Sequence, residues 1–181
     1  SNSYFRFLVR QKINRLDINA ELKNLSAKGR IEIPGEDPVA LAKRWIEVID
    51  KWKIERMSLI SSIPGDEDAV VKAVQAFPTR FTGFFAVDPN SNLLMSNAEK
   101  RLKQDKLRGI VLYPSLYHIS IRDPWLDPLF KLCQEVKAVV FTQFGRLTIR
   151  PREYVGLPTS SNDEFTNPKD LLPVANKYPG I

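Results

Sequence analysis

Very few residues in this chain could do chemistry. The sequence holds one histidine, His118, and one cysteine, Cys133, in 181 residues. A hydrolytic zinc centre generally takes three protein ligands, so one imidazole with no cysteine cluster does not supply the set. His118 lies in SLYHISIRD, after an apolar run, where it would touch a ligand or face water. Cys133 shares a helical stripe with Leu129, Phe130 and Val136, the spacing of a buried, inert thiol rather than a nucleophile. Ser61 and Ser62 have no histidine nearby in sequence to act as base. Asp88, before Pro-Asn-Ser, reads as a turn or cap acceptor, and Asp123 and Asp127, each directly before proline, read as helix caps. Tyr113, Gln143 and Arg146 remain as groups able to bind a small ligand, Arg146 through an anion unless a surface ion pair claims it.

These residues matter because of the elements that carry them. Asp37 followed by Pro38 is an N-cap with proline at the first helical position, and Leu41, Trp45, Val48 and Ile49 continue at helical spacing to Trp52. Apolar runs at 56–61, 81–87, 107–113 and 138–143 read as strands, roughly 25 to 30 residues apart. Helical patterns at 67–77, near 92–103 and at 125–136 separate them, as in βα units of a parallel sheet. The stretch 1–25 reads as an amphipathic helix or helix pair with Phe5, Leu8, Val9, Ile13 and Leu16 on one face, and 29–34 as an additional short strand. Residues 144–166 form a long connection rich in Gly, Pro, Ser and Asn, of the kind used for lids and binding loops, before a final helix from Asn167 to Tyr178.

No GxGxxG or GxxxxGK[ST] occupies a strand-to-helix turn, which removes the main support for a dinucleotide or P-loop site in an open sheet. The expected fold is therefore α/β, a (β/α) barrel of TIM type. Four firm strands against the eight of a complete barrel, typically ~250 residues, indicate that only part of the barrel is in this chain. The expected organisation is an N-terminal helical segment, 1–37, and a partial barrel, 38–181. A barrel site forms beyond the carboxyl ends of the strands, where Ser61, Asp88, Tyr113 and Gln143 fall.

Composition narrows the function classes. At 43% hydrophobic and 27% charged residues the chain is ordinary for a globular domain. No run approaches the ~18 apolar residues of a membrane span, and a lone cysteine fits a reducing, cytoplasmic setting. The net charge of +6 and pI near 9.5 raise the question of a polyanionic partner. The basic residues are nevertheless spread over helix faces with acids between them, so no nucleic acid is expected.

The segments FPTRFTGFFAVDPN, LRGIVLYPSLYHISIRDPWLDPLFKLCQE and VVFTQFG, in that order, resemble the amidohydrolase-related family called amidohydrolase 2. The resemblance runs from about Pro38 to Ile181. It implies a (β/α)8 barrel holding one divalent metal, Zn or Mn, and hydrolysis or nonoxidative decarboxylation of a small carbonyl or carboxylate compound by a metal-bound water or a metal-polarised substrate. The family's pattern has a His-x-His pair after the first strand, further histidines after the fifth and usually the sixth, and an aspartate after the eighth. Here Gln143 stands where a histidine is common, and no residue of this chain supplies the other ligands. Three explanations are open: missing segments of a longer protein carry the ligands, which the interrupted ends favour; a short relative has lost catalysis and serves in binding or assembly, with a homo-oligomer of two half barrels as the hypothesis; or Gln143 faces substrate while the metal uses other ligands.

Overall fold

The computed structural model describes residues 5, 6, 10, 18–30, 32–61, 65–154, 156, 159 and 161–181. Its elements run α1 (Ile18–Gly29), α2 (Pro38–Lys51), β1 (Met57–Ser61), α3 (Glu67–Ala76), β2 (Phe81–Ala86), α4 (Leu94–Glu99), β3 (Gly109–Leu112), α5 (Pro114–Tyr117), α6 (Asp127–Val136), β4 (Val139–Thr142), α7 (Arg150–Tyr154) and α8 (Leu171–Lys177). The Asp37 cap forms as expected, its carboxylate accepting the Val39 N–H at 2.8 Å. Each of the four firm strands is present, shortened by a residue or two at its ends. The helix expected near 92–103 is α4 continued by a π turn at Lys100–Gln104 that buries Arg101 and Leu102.

All four strands are parallel and pair in the order β1-β2-β3-β4. The order never reverses, so no switch point of a doubly wound sheet occurs among the described residues, and the arrangement is an arc of barrel type. Pleating sends alternate residues to opposite faces. The outer set includes Phe81, Phe85, Ile110 and Leu112, all at most 1% exposed. Phe85, Ile110 and Leu112 join one core with Val70 and Val71 of α3, Leu94 and Ala98 of α4, and Leu129, Phe130 and Cys133 of α6. Phe81 joins a neighbouring core with Ala42 and Ile49 of α2. Burying each phenylalanine contributes roughly 1.5–3 kcal/mol, which is why apolar runs in this rhythm commit to the fold.

Glycines allow the closest approaches. A Cβ on Gly83 would sit 2.6 Å from Leu107 Cδ2 and 3.0 Å from Val70 and Val74, so α3 could not lie as close to β2. A Cβ on Gly109 would meet the Val139 carbonyl oxygen at 2.1 Å.

The inner set comprises Ser58, Ile60, Thr82, Phe84, Ala86, Gly109, Val111, Val139 and Phe141 by register. None of these joins the cores formed with the helices, and Ile60 (43%), Val139 (38%) and Phe141 (57%) are exposed.

The turns that deliver the strands share a device. Lys53, Lys106 and Lys137 follow α2, the π turn and α6, each with φ between 54° and 58°, and each precedes a strand. At Lys137 the left-handed residue returns its N–H to the Cys133 and Gln134 carbonyls, closing the helix. The remaining turn, between α3 and β2, is held by Arg80, whose guanidinium donates to the Glu55 and Ile54 carbonyls and pairs with Asp50.

Several expectations are corrected. The short strand at 29–34 does not form among the described residues there: α1 runs on to Gly29, past the expected limit at 25, and Ile33 packs with Leu25, Ile149 and Tyr154. Pro34 brings no N–H to a ladder, and Glu32 is drawn to Arg44. Phe5 lies in this same small cluster, while Leu8, Val9, Ile13 and Leu16 fall outside the described residues. The connection 144–166 contains α7 and a 3-10 turn at Asp163–Phe165, and packs on α1. The final helix begins as a 3-10 turn at Pro168–Asp170, capped by Asn167.

Candidate functional site

The carboxyl ends of β1, β2 and β3 bring together two carboxylates and two phenols. Tyr113 immediately follows β3, and the short helix α5 carries Tyr117 four residues on, so both lie on one side of it. Both phenols are raised above their ordinary pKa. Burial does this at Tyr113; at Tyr117 burial is the largest cause, followed by the charges of Asp88, Tyr113 and Glu67. Two hydroxyls kept protonated in this way are donors at any physiological pH. Asn90, from the loop after β2, donates its side-chain amide to the Tyr117 carbonyl and locks the two loops together.

Glu67 opens α3 and is 2% exposed. Its Oε2 accepts the Gly65 N–H at 2.8 Å and lies 3.7 Å from Arg101; its Oε1 is buried and has no hydrogen-bond partner. Arg101 is spent mainly elsewhere, donating to Asp68 and Asp105 at 2.7 Å each and to Asn97 at 3.3 Å. A cleft of about 490 Å³ opens between the first two βα loops, with Glu67, Asp88, Asn97, Lys100 and Arg101 among its walls.

The sequence candidates are distributed unevenly around this cluster. Tyr113 belongs to it. Asp88 lines the cleft, with Oδ1 accepting the Asn90 N–H at 2.9 Å, the turn role expected of it. His118 ends α5 in the left-handed region, φ 54°, and is exposed. Gln143 is exposed, and its N–H extends the sheet by donating to the Leu112 carbonyl. Arg146 is held by both oxygens of Asp163 at 2.7 Å, the surface ion pair that was its competing reading. Ser61 is fully buried and its Oγ accepts the Ala86 N–H, a structural role; Ser62 lies outside the described residues.

Asp123 caps its turn through the Trp125 N–H, as expected. Asp127 does not cap: it sits inside the first turn of α6 and pairs with Lys177 at 2.6 Å, because the preceding 3-10 turn has already started the helix at Pro124. Cys133 is buried, and burial pushes its thiol up to about 12. Sequence reasoning missed Glu67, Tyr117 and Arg101. Only Tyr117 left a readable signal, its i+4 spacing from Tyr113.

A divalent metal does not fit the described residues. No group of three His, Cys, Asp or Glu among them is placed to hold one. The single imidazole is on an exposed loop, and a glutamine amide is neutral and a weak ligand beside imidazole.

No family model matches the chain by sequence, and no curated protein does. Solved structures do match in shape. An uncharacterized TIM-barrel protein from Bordetella bronchiseptica aligns over 99% of this chain and 56% of its own, with TM-score 0.60 and 15% identity. The 5-carboxyvanillate decarboxylase from Sphingomonas paucimobilis aligns over 75% of this chain and 48% of its own, with TM-score 0.56 and 16% identity. An amidohydrolase II aligns over 90% and 61%, with TM-score 0.51 and 15% identity. The chain thus spans about half the length of these structures. The likeness shows the fold: an α/β protein of TIM-barrel type, with an arc of the barrel in this chain.

Proposed function

We propose that this chain forms one wall of a small-molecule site in an amidohydrolase-type hydrolase or nonoxidative decarboxylase acting on a small carbonyl- or carboxylate-bearing compound. The observation that carries this reading is the pairing of Tyr113 and Tyr117 beyond the carboxyl ends of the strands, where barrel enzymes place their chemistry. An oxygen that gains negative charge during hydrolysis or decarboxylation accepts hydrogen bonds from neutral phenols, and those bonds strengthen as the charge develops. Burial keeps both phenols protonated, and at Tyr117 the charges of Asp88 and Glu67 add to it. No step is assigned to a metal, since the described residues offer it no ligand set.

The test is turnover of a panel of small carboxylates and their amides by the native protein, following carbon dioxide and hydrolysis products. Tyr117→Phe is expected to lower kcat/KM on the order of 10²-fold with little change in thermal midpoint. No turnover of any panel member, or full activity in both Tyr113→Phe and Tyr117→Phe, defeats the reading. One feature supports a second reading, a noncatalytic relative that serves in assembly: the uncovered apolar inner face at Ile60, Val139 and Phe141.

A further inference from the structure

We propose that the cleft between the first two βα loops binds a small primary ammonium compound, with Glu67 and Asp88 as its counter-charges. The cleft shares Glu67 and Asp88 with the tyrosine pair but is lined by neither phenol, so the proposal holds whether or not that pair is catalytic.

The argument begins with an oxygen. Glu67 is almost wholly buried, one of its oxygens has no hydrogen-bond partner, and the apolar side chains of Val87 and Leu94 line the same cleft. A buried acceptor without a partner is rare and calls for a donor. The nearest cation does not provide it. Arg101 approaches Glu67 no closer than 3.7 Å, at Oε2, and directs its short bonds to Asp68 and Asp105. That one guanidinium is shared among Glu67, Asp68 and Asp105, so the negative charge of Glu67 is only partly offset, and Asp88 adds its own on the cleft wall.

The shape and composition then select a ligand. About 490 Å³ accommodates a compact organic molecule. The acids, both close to Tyr117 electrostatically, mark the cationic end of that molecule. Ser91, Ser96 and Asn97 on the cleft wall offer hydrogen bonds to a polar, uncharged remainder, and Lys100 disfavours a second cationic group. A singly charged amino alcohol has the required chemistry. A carboxylate ligand is the poorer match, because Glu67 and Asp88 would repel its charge where only Lys100 and the already shared Arg101 would attract it.

Ethanolamine hydrochloride is the probe, with ethylene glycol as its uncharged counterpart and propionate as its opposite. Backbone amide shifts of the native protein would be followed by NMR during titration of each. Ethanolamine is expected to give saturable shifts at Gly65 and Asp88 in the millimolar range, while the other two do not. Glu67→Gln should weaken ethanolamine binding at least tenfold, and Asp88→Asn, which keeps an acceptor for the turn to Asn90, should weaken it several-fold. If Glu67→Gln loses its dispersed spectrum, Asp88→Asn alone carries the comparison. Absence of saturable shifts, equal saturation by ethylene glycol, or unchanged ethanolamine binding in a folded variant would overturn the proposal and leave an ordered water as the partner of Oε1.

Discussion

Arg101 and Cys133 show how differently two buried residues can be committed. Arg101 has only 8% of its side chain exposed and faces three acids, so removing it strands Glu67 without its cation. Arg101→Met is expected to cost about 3 kcal/mol in urea denaturation. A loss below ~1 kcal/mol would show that solvent compensates the acids after all. Cys133 is inert instead of paired. Its thiol titrates near 12 in the folded protein and at ~8.5 in an unfolded chain, so the unfolded state ionises first. The stability this contributes is complete below about pH 8 and is lost as pH climbs toward 12. The urea midpoint should fall across that range, and fall less steeply in Cys133→Ala. At pH 8 the native thiol should resist aromatic disulfide reagents; rapid labelling would contradict its burial.

At the level of elements, the αβ turns carry a removable strain. Lys53, Lys106 and Lys137 hold left-handed backbone that glycine adopts without a Cβ penalty. Lysine gains there from the negative end of each helix dipole, which explains part of the positive charge that first raised the question of nucleic acid. Each Lys→Gly change is expected to raise stability by about 0.5–1 kcal/mol; Lys106 and Lys137, which precede adjacent strands, are the two near enough to depart from additivity. Equal or lower thermal midpoints would mean the dipole contribution outweighs the strain. Gly83→Ala acts the other way, pressing a methyl group into Leu107, Val70 and Val74, at an expected cost of 1–3 kcal/mol. The strands and long helices were legible in sequence because burial writes a period into apolar residues. The strand expected at 29–34 was not, because IEI flanked by Gly and Pro suits a strand and a connecting segment equally, and only the pull of Leu25 on Ile33 decides. Glu67 was illegible for a similar reason: an acid in the first turn of a helix looks like an ordinary dipole partner until Arg101 and an unfilled oxygen appear beside it.

For the molecule as a whole, the inner sheet face and the outer edges of β1 and β4 raise the question of closure. A second copy is expected to fit poorly. Helices lie outside a barrel one per strand interval, and here α2 packs beside β1 while α8 packs against α6 through Phe130 and Tyr178, with Lys177 on Asp127. If β4 of one copy paired with β1 of another, α8 and the second α2 would contend for one place. Sedimentation of the 20.7 kDa chain is therefore expected to show no compact two-copy particle; a discrete dimer would refute this helix-seat argument. Phe141→Thr should reduce non-stoichiometric association with little loss of stability, since the ring is 57% exposed. The parallel sheet has one further consequence. Every tight αβ turn, with its left-handed lysines and its Arg80 clasp, lies at one end of the arc, and the tyrosines, acids and cleft lie at the other. Lineages descended from such a chain can rewrite the loops that meet a ligand without unfastening the turns that hold it together, so its specificity is free to drift while its architecture stays put.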